Sequence, residues 1–509
     1  MYPKRQCFLV LGLSRSGKAA AEFLLARGAF VYLYDDLSNE RVEQTLRELE
    51  KGGAKRLKKE ELPRAAELCD GLVLSPGIPI DHPTALAFKR AGKAVLGETE
   101  IAARFLRCPT VAVTGTNGKT TTVSMLTEVL KKGGCSAFAC GNIGAPMLEF
   151  ISAKESDIAV AEISSFQLET LRSLRPHVAI VLNITEDHLN RHYTMENYVF
   201  LKARLLKNLT ETEFAVLNYD DQTVRAFAES TKAQVLYFSL RERVRGSFFE
   251  NGNLYFGKEK IMSANDLPTG GIHNVQNALA VIAAAKIIGI KTADIVAALT
   301  QFKGVKHRIQ LVGEMDGVRY VDDSKGTNVD ATLKAVEAMK TDVVLLLGGK
   351  NKGYDYVKLF SALKNSKVKH AVLYGENRYA LLKSAIETGF DAFSLCDKFD
   401  FAVMMAAMKA EKGQTVLLSP ASASFDEFVG YEERGEKFAQ IVRSLGAKSA
   451  EGEQPQYSAG NAGVAVGNGE NGADTGTTAR PETSANSATA NTATVATAGE
   501  RFMDNEENE

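Results

Sequence analysis

A lysine and three threonines follow two glycines in the stretch VAVTGTNGKTTTVSML, which runs from Val111 to Leu126. Its apolar start predicts a strand, and its end has the pattern of a helix. A helix N-terminus leaves backbone N–H groups unpaired and carries partial positive charge, so it attracts phosphate. Lys119 adds a mobile cation, and Thr120 adds a hydroxyl suited to Mg²⁺. The stretch therefore predicts a loop that holds the phosphates of ATP.

The match to the usual P-loop spacing, G-x-x-x-x-G-K-[ST], is incomplete because Val113 stands where the first glycine belongs. The alternative is a strand-to-helix turn that contains glycine and an exposed lysine. The run of threonines between a strand and a helix makes that alternative improbable. The residues predicted to hold the nucleotide here are Gly115, Thr116, Asn117, Gly118, Lys119, Thr120 and Thr121.

Further polar side chains follow the next apolar stretches. IAVAE ends at Glu162, where a P-loop enzyme holds its Mg²⁺, although a solvated glutamate is the alternative. A later stretch opens into His188, and a single histidine after a strand is more often hydrogen-bonded than a ligand. Lys202 lies in a helical stretch, where an exposed lysine is the default. Asn142 stands in the glycine-bounded loop GNIGAP, which suits contact with a ligand.

These residues lie among alternating strand and helix patterns, which predict parallel sheets covered by helices. The 509 residues are too many for one hydrophobic core and indicate about three domains. The first unit contains Gly12-Leu-Ser-Arg-Ser-Gly17, close to the dinucleotide fingerprint G-x-G-x-x-G. Ser14 stands in place of the middle glycine. In the fingerprint, that glycine lets a pyrophosphate approach the backbone. The pattern therefore favours some nucleotide rather than NAD in particular.

The end of the chain differs in composition from the rest. From Ser449 onward it has ten acidic residues, two arginines and no Leu, Ile or Lys. Such a segment cannot bury enough apolar area to offset its ordering entropy, so a disordered acidic tail is predicted over 449–509. The remaining body has a net charge of +7, which suits anionic small molecules. It has no basic cluster with interleaved aromatics, which argues against nucleic acid.

Membrane and secretion signals are missing from the sequence. No apolar run reaches the ~18 residues of a membrane helix, and the N-terminal FLVLGL is too short for a signal peptide. The six cysteines form no C-x-x-C pair and no metal-binding spacing, which is typical of a reduced protein. We expect a cytoplasmic monomer without a membrane partner.

Eight motifs occur in register: GTNGKTTT, GNIG, EISSFQLE, NITEDHLNRH, LKARLL, GIHNVQN, KGVKHRIQ and VDDSKGTN. Together they resemble the Mur ligase family of ATP-dependent enzymes that form amide bonds, over residues 1–448. The resemblance implies a Rossmann-like domain for the UDP-substrate at 1–98 and a central P-loop ATPase-like domain that binds ATP at 99–304. It also implies a Rossmann-like C-terminal domain for the incoming amino acid at 305–448.

Both ends of the chain are similar to family members that add D-glutamate to UDP-N-acetylmuramoyl-L-alanine. Members that add a diamino acid carry an Asn-Pro-Arg element, which is absent here, and first-step members have histidine where this chain has Asn117. The resemblance implies that the alanyl carboxylate attacks the γ-phosphate of ATP and that D-glutamate then displaces phosphate from the acyl phosphate. The resemblance also implies two Mg²⁺ ions and a CO₂-derived carbamate on Lys202.

The resemblance also implies roles for single side chains. The expected catalytic residues are Lys119, Glu162, His188 and Lys202. The expected Mg²⁺ ligands are Thr120, Glu162, His188 and Lys202. The expected nucleotide contacts outside the loop are Asn274, Asn277, Arg308, Asp323 and Lys325. The expected substrate contacts are Ser14, Asp35, Ser75, Gly77, Asn142, Thr327, Lys352, Ser424 and Tyr431. Helix capping is the alternative role for the two asparagines, and Ser424 also begins the capping-box pattern S-F-D-E.

The sequence disfavours three other functions. A ligase like folylpolyglutamate synthetase is disfavoured by the Rossmann-like N-terminal unit. A nucleotide-switch ATPase without a second substrate leaves Lys202 and the third domain unexplained. An NAD oxidoreductase is the weakest alternative because Ser14 breaks the dinucleotide fingerprint.

Overall fold

The computed structural model describes residues 5–268, 271–351, 355–446 and 448–449. Three α/β domains follow one another along the chain, each built on its own sheet, which confirms the predicted fold class. Lys352 and, beyond Ser449, the predicted tail lie outside the described residues. None of the helices in the described ranges is both long and apolar enough to cross a membrane.

The N-terminal domain is a parallel sheet with helices on its faces. Its strands are β1 (Cys7–Leu11), β2 (Phe30–Tyr34), β3 (Lys55–Arg56), β4 (Gly71–Leu74) and β5 (Ala94–Leu96). Its helices are α1 (Arg15–Ala26), α2 (Glu40–Lys51), α3 (Ala65–Leu68), α4 (Pro83–Arg90), α5 (Glu98–Phe105) and a 3₁₀ helix (Lys59–Arg64). The strand order β3-β2-β1-β4-β5 reverses direction at β1, so the loops after β1 and β4 flank one crevice.

The central domain is a nine-stranded sheet. Its strands are β6 (Thr110–Thr114), β7 (Ala137–Gly141), β8 (Ile158–Glu162), β9 (Val178–Val181), β10 (Phe214–Asn218), β11 (Gln234–Ser239), β12 (Gly246–Glu250), β13 (Asn253–Phe256) and β14 (Glu259–Ser263). Its helices are α6 (Lys119–Lys132), α7 (Ser165–Leu168), α8 (Leu189–His192), α9 (Met195–Ala203), α10 (Gln222–Ala226), α11 (Ile272–Ile288) and α12 (Thr292–Gln301). Short 3₁₀ helices span Met147–Phe150, Arg204–Leu206, Phe227–Glu229 and Ala264–Asp266.

The order of this sheet is β14-β13-β12-β11-β10-β9-β6-β8-β7, and only β13 and β14 pair antiparallel with their neighbours. Strand β6 lies between β8 and β9 and is parallel to both. The carboxyl ends of these three buried strands therefore meet at one edge, where the chain leaves each strand with polar residues. This edge carries the loop before α6, Glu162 and the segment that leads to His188.

The C-terminal domain is a seven-stranded mixed sheet. Its strands are β15 (Gln310–Met315), β16 (Val318–Asp322), β17 (Val343–Gly348), β18 (Val368–Tyr374), β19 (Phe393–Leu395), β20 (Thr415–Leu418) and β21 (Lys448–Ser449). Its helices are α13 (Val329–Ala338), α14 (Val357–Leu363), α15 (Arg378–Thr388), α16 (Phe399–Lys409) and α17 (Tyr431–Ser444). The order is β19-β18-β17-β20-β16-β15-β21. The four strands expected from sequence are parallel, but β15 pairs antiparallel with both of its neighbours.

Candidate active site

The loop between β6 and α6 has the strand–loop–helix form that the sequence predicted. Gly118 has a φ of +87°, which favours glycine, and a Cβ there would lie 2.5 Å from Asn277 Oδ1. Lys119 starts α6 and donates from Nζ to the carbonyl oxygens of Gly115 and Thr116, at 2.8 and 2.7 Å. The loop thus presents a helix N-terminus and a cation at the carboxyl edge of the sheet.

A carboxylate and a hydroxyl meet beside this loop. Thr120 Oγ1 donates to Glu162 Oε2 at 2.7 Å, and Asn142 Nδ2 donates to Glu162 Oε1 at 2.8 Å. Burial alone raises the pKa of Glu162, but the ammonium groups of Lys325 and Lys119 bring that pKa below its ordinary value. The carboxylate is therefore ionised and offers hard oxygen atoms next to the phosphate loop.

Within the described ranges, no group of three or more His, Cys, Asp and Glu is placed to hold a metal ion. Mg²⁺ is commonly held by one or two protein oxygens together with phosphates, so Thr120 and Glu162 are enough to anchor such an ion. His188 Nε2 lies 3.6 Å from Asp187 Oδ2, at the same edge. Its ring centroid is 4.7 Å from that of Phe166, in the segment after Glu162.

Lys202 lies inside the domain, so the expected default of an exposed lysine is wrong. Its side chain is 1% exposed, and Nζ donates to Gly115 O at 2.9 Å. The same Nζ lies 4.8 Å from the ring centroid of Tyr198. Burial, with the nearby charge of Lys119, holds the pKa of Lys202 well below its ordinary value. A buried amine with a lowered pKa therefore lies directly beneath the phosphate loop.

The C-terminal domain brings two ionisable groups to the same edge. Lys325 Nζ donates to the Tyr431 hydroxyl at 2.8 Å and lies 4.4 Å from that ring's centroid. Burial lowers the pKa of Lys325 to about 8, although the negative charge of Glu162 acts in the opposite direction. Asp323 Oδ2 accepts a hydrogen bond from Ser419 Oγ at 2.7 Å, and burial raises the pKa of Asp323 to about 7.

A guanidinium with unused hydrogen-bonding capacity lies among these groups. Arg308 Nε is buried and has no hydrogen-bond partner in the part of the chain that the structure describes. Burial lowers the pKa of Lys119, and the positive charge of Arg308 lowers it further, which places the two cations in one environment. Asn274 and Asn277 are buried in the first turns of α11, beside the loop. A buried donor without an acceptor is what an anionic ligand would satisfy.

Contacts between the central and C-terminal domains involve residues that sequence reasoning missed. Asn117 Nδ2 donates to Asp330 Oδ2 at 2.5 Å. Asn328 Nδ2 donates to Asn117 Oδ1 at 3.3 Å and to Asp187 Oδ2 at 3.1 Å. Asn328 also caps α13 by accepting from the Ala331 N–H at 2.8 Å, so its sequence signal was that of a helix start. Only the packing of the two domains shows that this cap also faces the phosphate loop.

The residues expected to contact the UDP part are brought together in the N-terminal domain. Ser14 Oγ lies 3.2 Å from Ser75 Oγ, across the crevice between β1 and β4. Asp35 Oδ2 accepts from the backbone N–H that precedes Ser14, at 2.7 Å. Gly77 lies in the loop after β4, and its carbonyl oxygen accepts a hydrogen bond from Arg191 of the central domain at 3.3 Å. Asn142, by contrast, lies against Glu162 in the central domain.

The remaining expected contacts are in the C-terminal domain. Thr327 follows Lys325 in the loop before α13, and its N–H donates to Lys325 O at 2.9 Å. Ser424 is buried, and a turn follows it instead of a helix. The next helix begins at Tyr431, so the interpretation of S-F-D-E as a capping box is wrong. The binding roles of these residues stay predictions, as does that of Lys352.

Three family profiles match the chain in domain order. They are described as Mur ligase MurD-like, N-terminal domain, at residues 6–97, as Mur ligase middle domain at 113–285, and as Mur ligase, glutamate ligase domain at 307–422. These stretches fall on the three sheets described above.

Curated relatives match over nearly their whole length. A UDP-N-acetylmuramoylalanine–D-glutamate ligase from Pelotomaculum thermopropionicum is 41% identical, over 87% of this chain and 98% of the relative. A protein of the same name from Caldanaerobacter subterraneus subsp. tengcongensis is 40% identical, over 87% and 99%. Among solved structures, a UDP-N-acetylmuramate-alanine ligase from Thermotoga maritima has a TM-score of 0.56 at 18% identity, over 86% of this chain and 99% of that one. That likeness concerns the fold.

Proposed function

The chain belongs to the Mur ligase family, and we propose that it adds D-glutamate to UDP-N-acetylmuramoyl-L-alanine in peptidoglycan precursor synthesis, while ATP is split to ADP and phosphate. The observation that carries the proposal is 41% identity over 98% of a relative named for this ligation. The ionised Glu162 beside a phosphate loop supports ATP as the source of energy.

The described residues fit a nucleoside triphosphate with Mg²⁺. Arg308 Nε has no hydrogen-bond partner among the described residues, and the close approach of Asn277 to Gly118 leaves no room for a side chain at the loop. Thr120 and Glu162 would hold one Mg²⁺, and His188 would help to hold a second. When bound, Mg²⁺ and ATP supply an electrophilic γ-phosphorus and neutralise charge around it.

The chain's own groups account for the two steps of the reaction. Lys119 places a cation at the start of α6, where negative charge develops as the alanyl carboxylate takes the phosphoryl group. The resulting acyl phosphate is an activated carbonyl compound that the amine of D-glutamate can attack, with phosphate leaving. Lys325 and Tyr431 reach the same edge from the C-terminal domain, which would hold the incoming amino acid next to that carbonyl.

We propose substrate contacts that follow the domains. The UDP part would lie against Ser14, Asp35, Ser75 and Gly77, with Asn142 nearer the sugar. D-glutamate would lie against Thr327, Lys352, Ser424 and Tyr431, and adenosine against Asn274, Asn277, Asp323 and Lys325. All six cysteines are free, which supports a reducing, cytoplasmic location. We propose that the enzyme is a monomer.

We also propose that Lys202 works as a carbamate. Burial lowers the pKa of its amine, which makes the neutral form easier to reach than in an exposed lysine, and a neutral amine adds CO₂ with loss of a proton. The product carries a negative charge and oxygen donors suited to Mg²⁺, whereas an ammonium has no lone pair to offer.

The proposed function is tested by measuring phosphate release from ATP with UDP-N-acetylmuramoyl-L-alanine, with and without D-glutamate. We expect phosphate release only when both substrates are present. Replacement of D-glutamate by L-glutamate or by a diamino acid should abolish it. Release that ignores D-glutamate would indicate a plain ATPase, and release with a folate acceptor would indicate a folylpolyglutamate synthetase-like ligase.

The carbamate is tested on Lys202→Ala and Lys202→Arg. We expect both to lose most activity, and short carboxylic acids to restore part of it only in Lys202→Ala, where a gap is left. Parent enzyme equilibrated with ¹³C-bicarbonate should show a carbamate ¹³C resonance that Lys202→Arg lacks. Full ligation by either variant after CO₂ has been stripped would contradict the carbamate.

A further inference from the structure

We infer that Arg191 is a positioning residue that joins the loop receiving the UDP part of the substrate to the segment carrying His188. The inference rests on the proposed function for what the loop binds. Arg191 is the third residue of the four-residue helix α8, which begins directly after His188. Its side chain is only 10% exposed although it is charged, so its partners define what it does.

One side of the guanidinium is fixed to the central domain. Arg191 Nε donates to Glu169 Oε1 at 3.0 Å, and one terminal nitrogen donates to Glu169 Oε2 at 2.6 Å. This bidentate pair is nearly buried, since the Glu169 side chain is 5% exposed. Two parallel hydrogen bonds fix the plane of a guanidinium as well as its position. Glu169 follows α7, the helix that begins three residues after Glu162, so Arg191 is tied to the segment that leaves Glu162.

The other side of the guanidinium reaches the N-terminal domain. Its terminal nitrogens lie 2.8 Å from Ile78 O, 3.3 Å from Gly77 O and 3.4 Å from Pro76 O. These three carbonyls belong to the loop that continues from Ser75. A lysine has its three N–H donors on one nitrogen and cannot form the bidentate pair with Glu169 while spanning these three carbonyls, whereas the planar fork of arginine can.

The flat face of the guanidinium completes the connection. Arg191 Cζ lies 4.8 Å from the ring centroid of Phe166, and that ring lies 4.7 Å from the His188 ring. His188 has a φ of +55°, which is strained for a residue with a side chain and persists only where neighbours hold it. Movement of Arg191 would therefore release both the 76–78 loop and the packing of Phe166 against His188.

A role restricted to holding two domains together makes a different prediction. Loss of such a contact would lower stability but leave the kinetic constants of the folded enzyme unchanged. A positioning role affects the UDP-substrate and the chemical step together, while the affinity for ATP, which binds elsewhere at the sheet edge, is retained.

The kinetic test uses Arg191→Lys, Glu169→Gln and Arg191→Ala. The matched control is Arg243→Ala, which removes a bidentate pair with Glu250 at 2.6 and 2.7 Å from a side chain that is 73% exposed. We expect Arg191→Lys to lower kcat/KM for the UDP-substrate about 100-fold, as for a displaced reacting group. Its KM for ATP should stay at the parent value, and Arg243→Ala should match the parent throughout. Parent-like kcat/KM in Arg191→Lys and Glu169→Gln would overturn the inference.

Hydrogen–deuterium exchange without substrate separates this inference from the proposed function. Amides of residues 75–81 should exchange faster in Arg191→Lys than in the parent or in Arg243→Ala. Unchanged exchange in that loop would overturn the role of Arg191 whatever the activity. If the parent enzyme releases no phosphate in response to D-glutamate, the proposed function is contradicted. The role of Arg191 is then decided by the exchange measurement alone. If Arg191→Ala does not fold, the lysine and glutamine variants decide.

Discussion

At the scale of single residues, removal of the Lys119 ammonium should lower the rate of ligation without changing the affinity for the UDP-substrate. Its ammonium lies at the phosphate loop, where it donates to two loop carbonyls. We expect Lys119→Ala to lower ligation at least about 100-fold, the usual loss for one electrostatic contact to a transition state. Calorimetry should show unchanged affinity for the UDP-substrate, with an unchanged Tm. Lys131→Ala, at the exposed end of the same helix, is the control. Near-normal turnover of Lys119→Ala would remove this lysine from the mechanism.

Glu98 should make the stability of the protein depend on pH. It is buried at the start of α5, accepts from the Leu148 N–H at 2.7 Å, and burial raises its pKa from 4.5 to about 7. Between these values the unfolded chain releases a proton that the folded chain keeps, so stability falls as pH rises from 4.5 to 7. One pKa unit is 1.36 kcal/mol, so the loss reaches about 3 kcal/mol.

Glu98→Gln should remove this dependence, because the amide stays neutral and can still accept from the Leu148 N–H. Thermal unfolding should find the variant close to the parent at pH 5 and more stable than the parent at pH 8. Glu128→Gln, at an exposed position of α6, is the control and should give a difference that does not grow with pH. A Glu98→Gln variant that loses stability at pH 8 would contradict the prediction.

At the scale of elements, the buried parallel strands and the phosphate loop were predictable because apolar runs end in polar residues that the sheet collects at one edge. Two hairpins were missed although their turns carry strong signals. Asn251-Gly252 and Asp316-Gly317 all have positive φ, as the primed turns of tight hairpins require. The contacts of the phosphate loop with Asn328, which caps α13, and with Asp330, in the first turn of α13, could not be predicted, because they depend on how two domains pack.

Gly118 tests the geometry of the phosphate loop as an element. Gly118→Ala would strain a φ of +87° and place a Cβ 2.5 Å from Asn277 Oδ1. We expect ATP affinity to fall about 10-fold or more, because the added methyl group would displace the loop or Asn277, and a loss of about 1.4 kcal/mol in binding free energy is tenfold in affinity. Gly134→Ala is a matched control, because Gly134 has a φ of +84° with nothing within 4 Å of the added Cβ. That control should lose stability but keep its ATP affinity. Equal ATP affinities in the two variants would contradict the prediction that the loop has no room for a side chain at Gly118.

At the scale of the whole molecule, the central and C-terminal domains should close around the nucleotide, with a hinge near residues 302–306. Asn117 contacts Asn328 and Asp330 across these two domains, and we expect closure to depend on these contacts. Small-angle scattering should show compaction when nucleotide and UDP-substrate are added. Asn328→Ala should compact less, because it loses its bonds to Asn117 and Asp187, whereas Asp342→Ala at an exposed site should behave like the parent. Absence of compaction in the parent would count against closure.

The predicted tail should be dispensable if the chain is cut at the right residue. The predicted boundary at 448 divides β21, in which Glu314 pairs with Lys448 and Gly313 with Ser449. A chain that ends after Ser449 keeps this edge of the C-terminal sheet, and the composition beyond it lacks the apolar side chains needed for packing. We expect its Tm and ligation rate to equal those of the full chain. A docked tail worth about 1 kcal/mol would lower Tm by about 2 °C or more on removal, so a loss of that size would show that the tail packs.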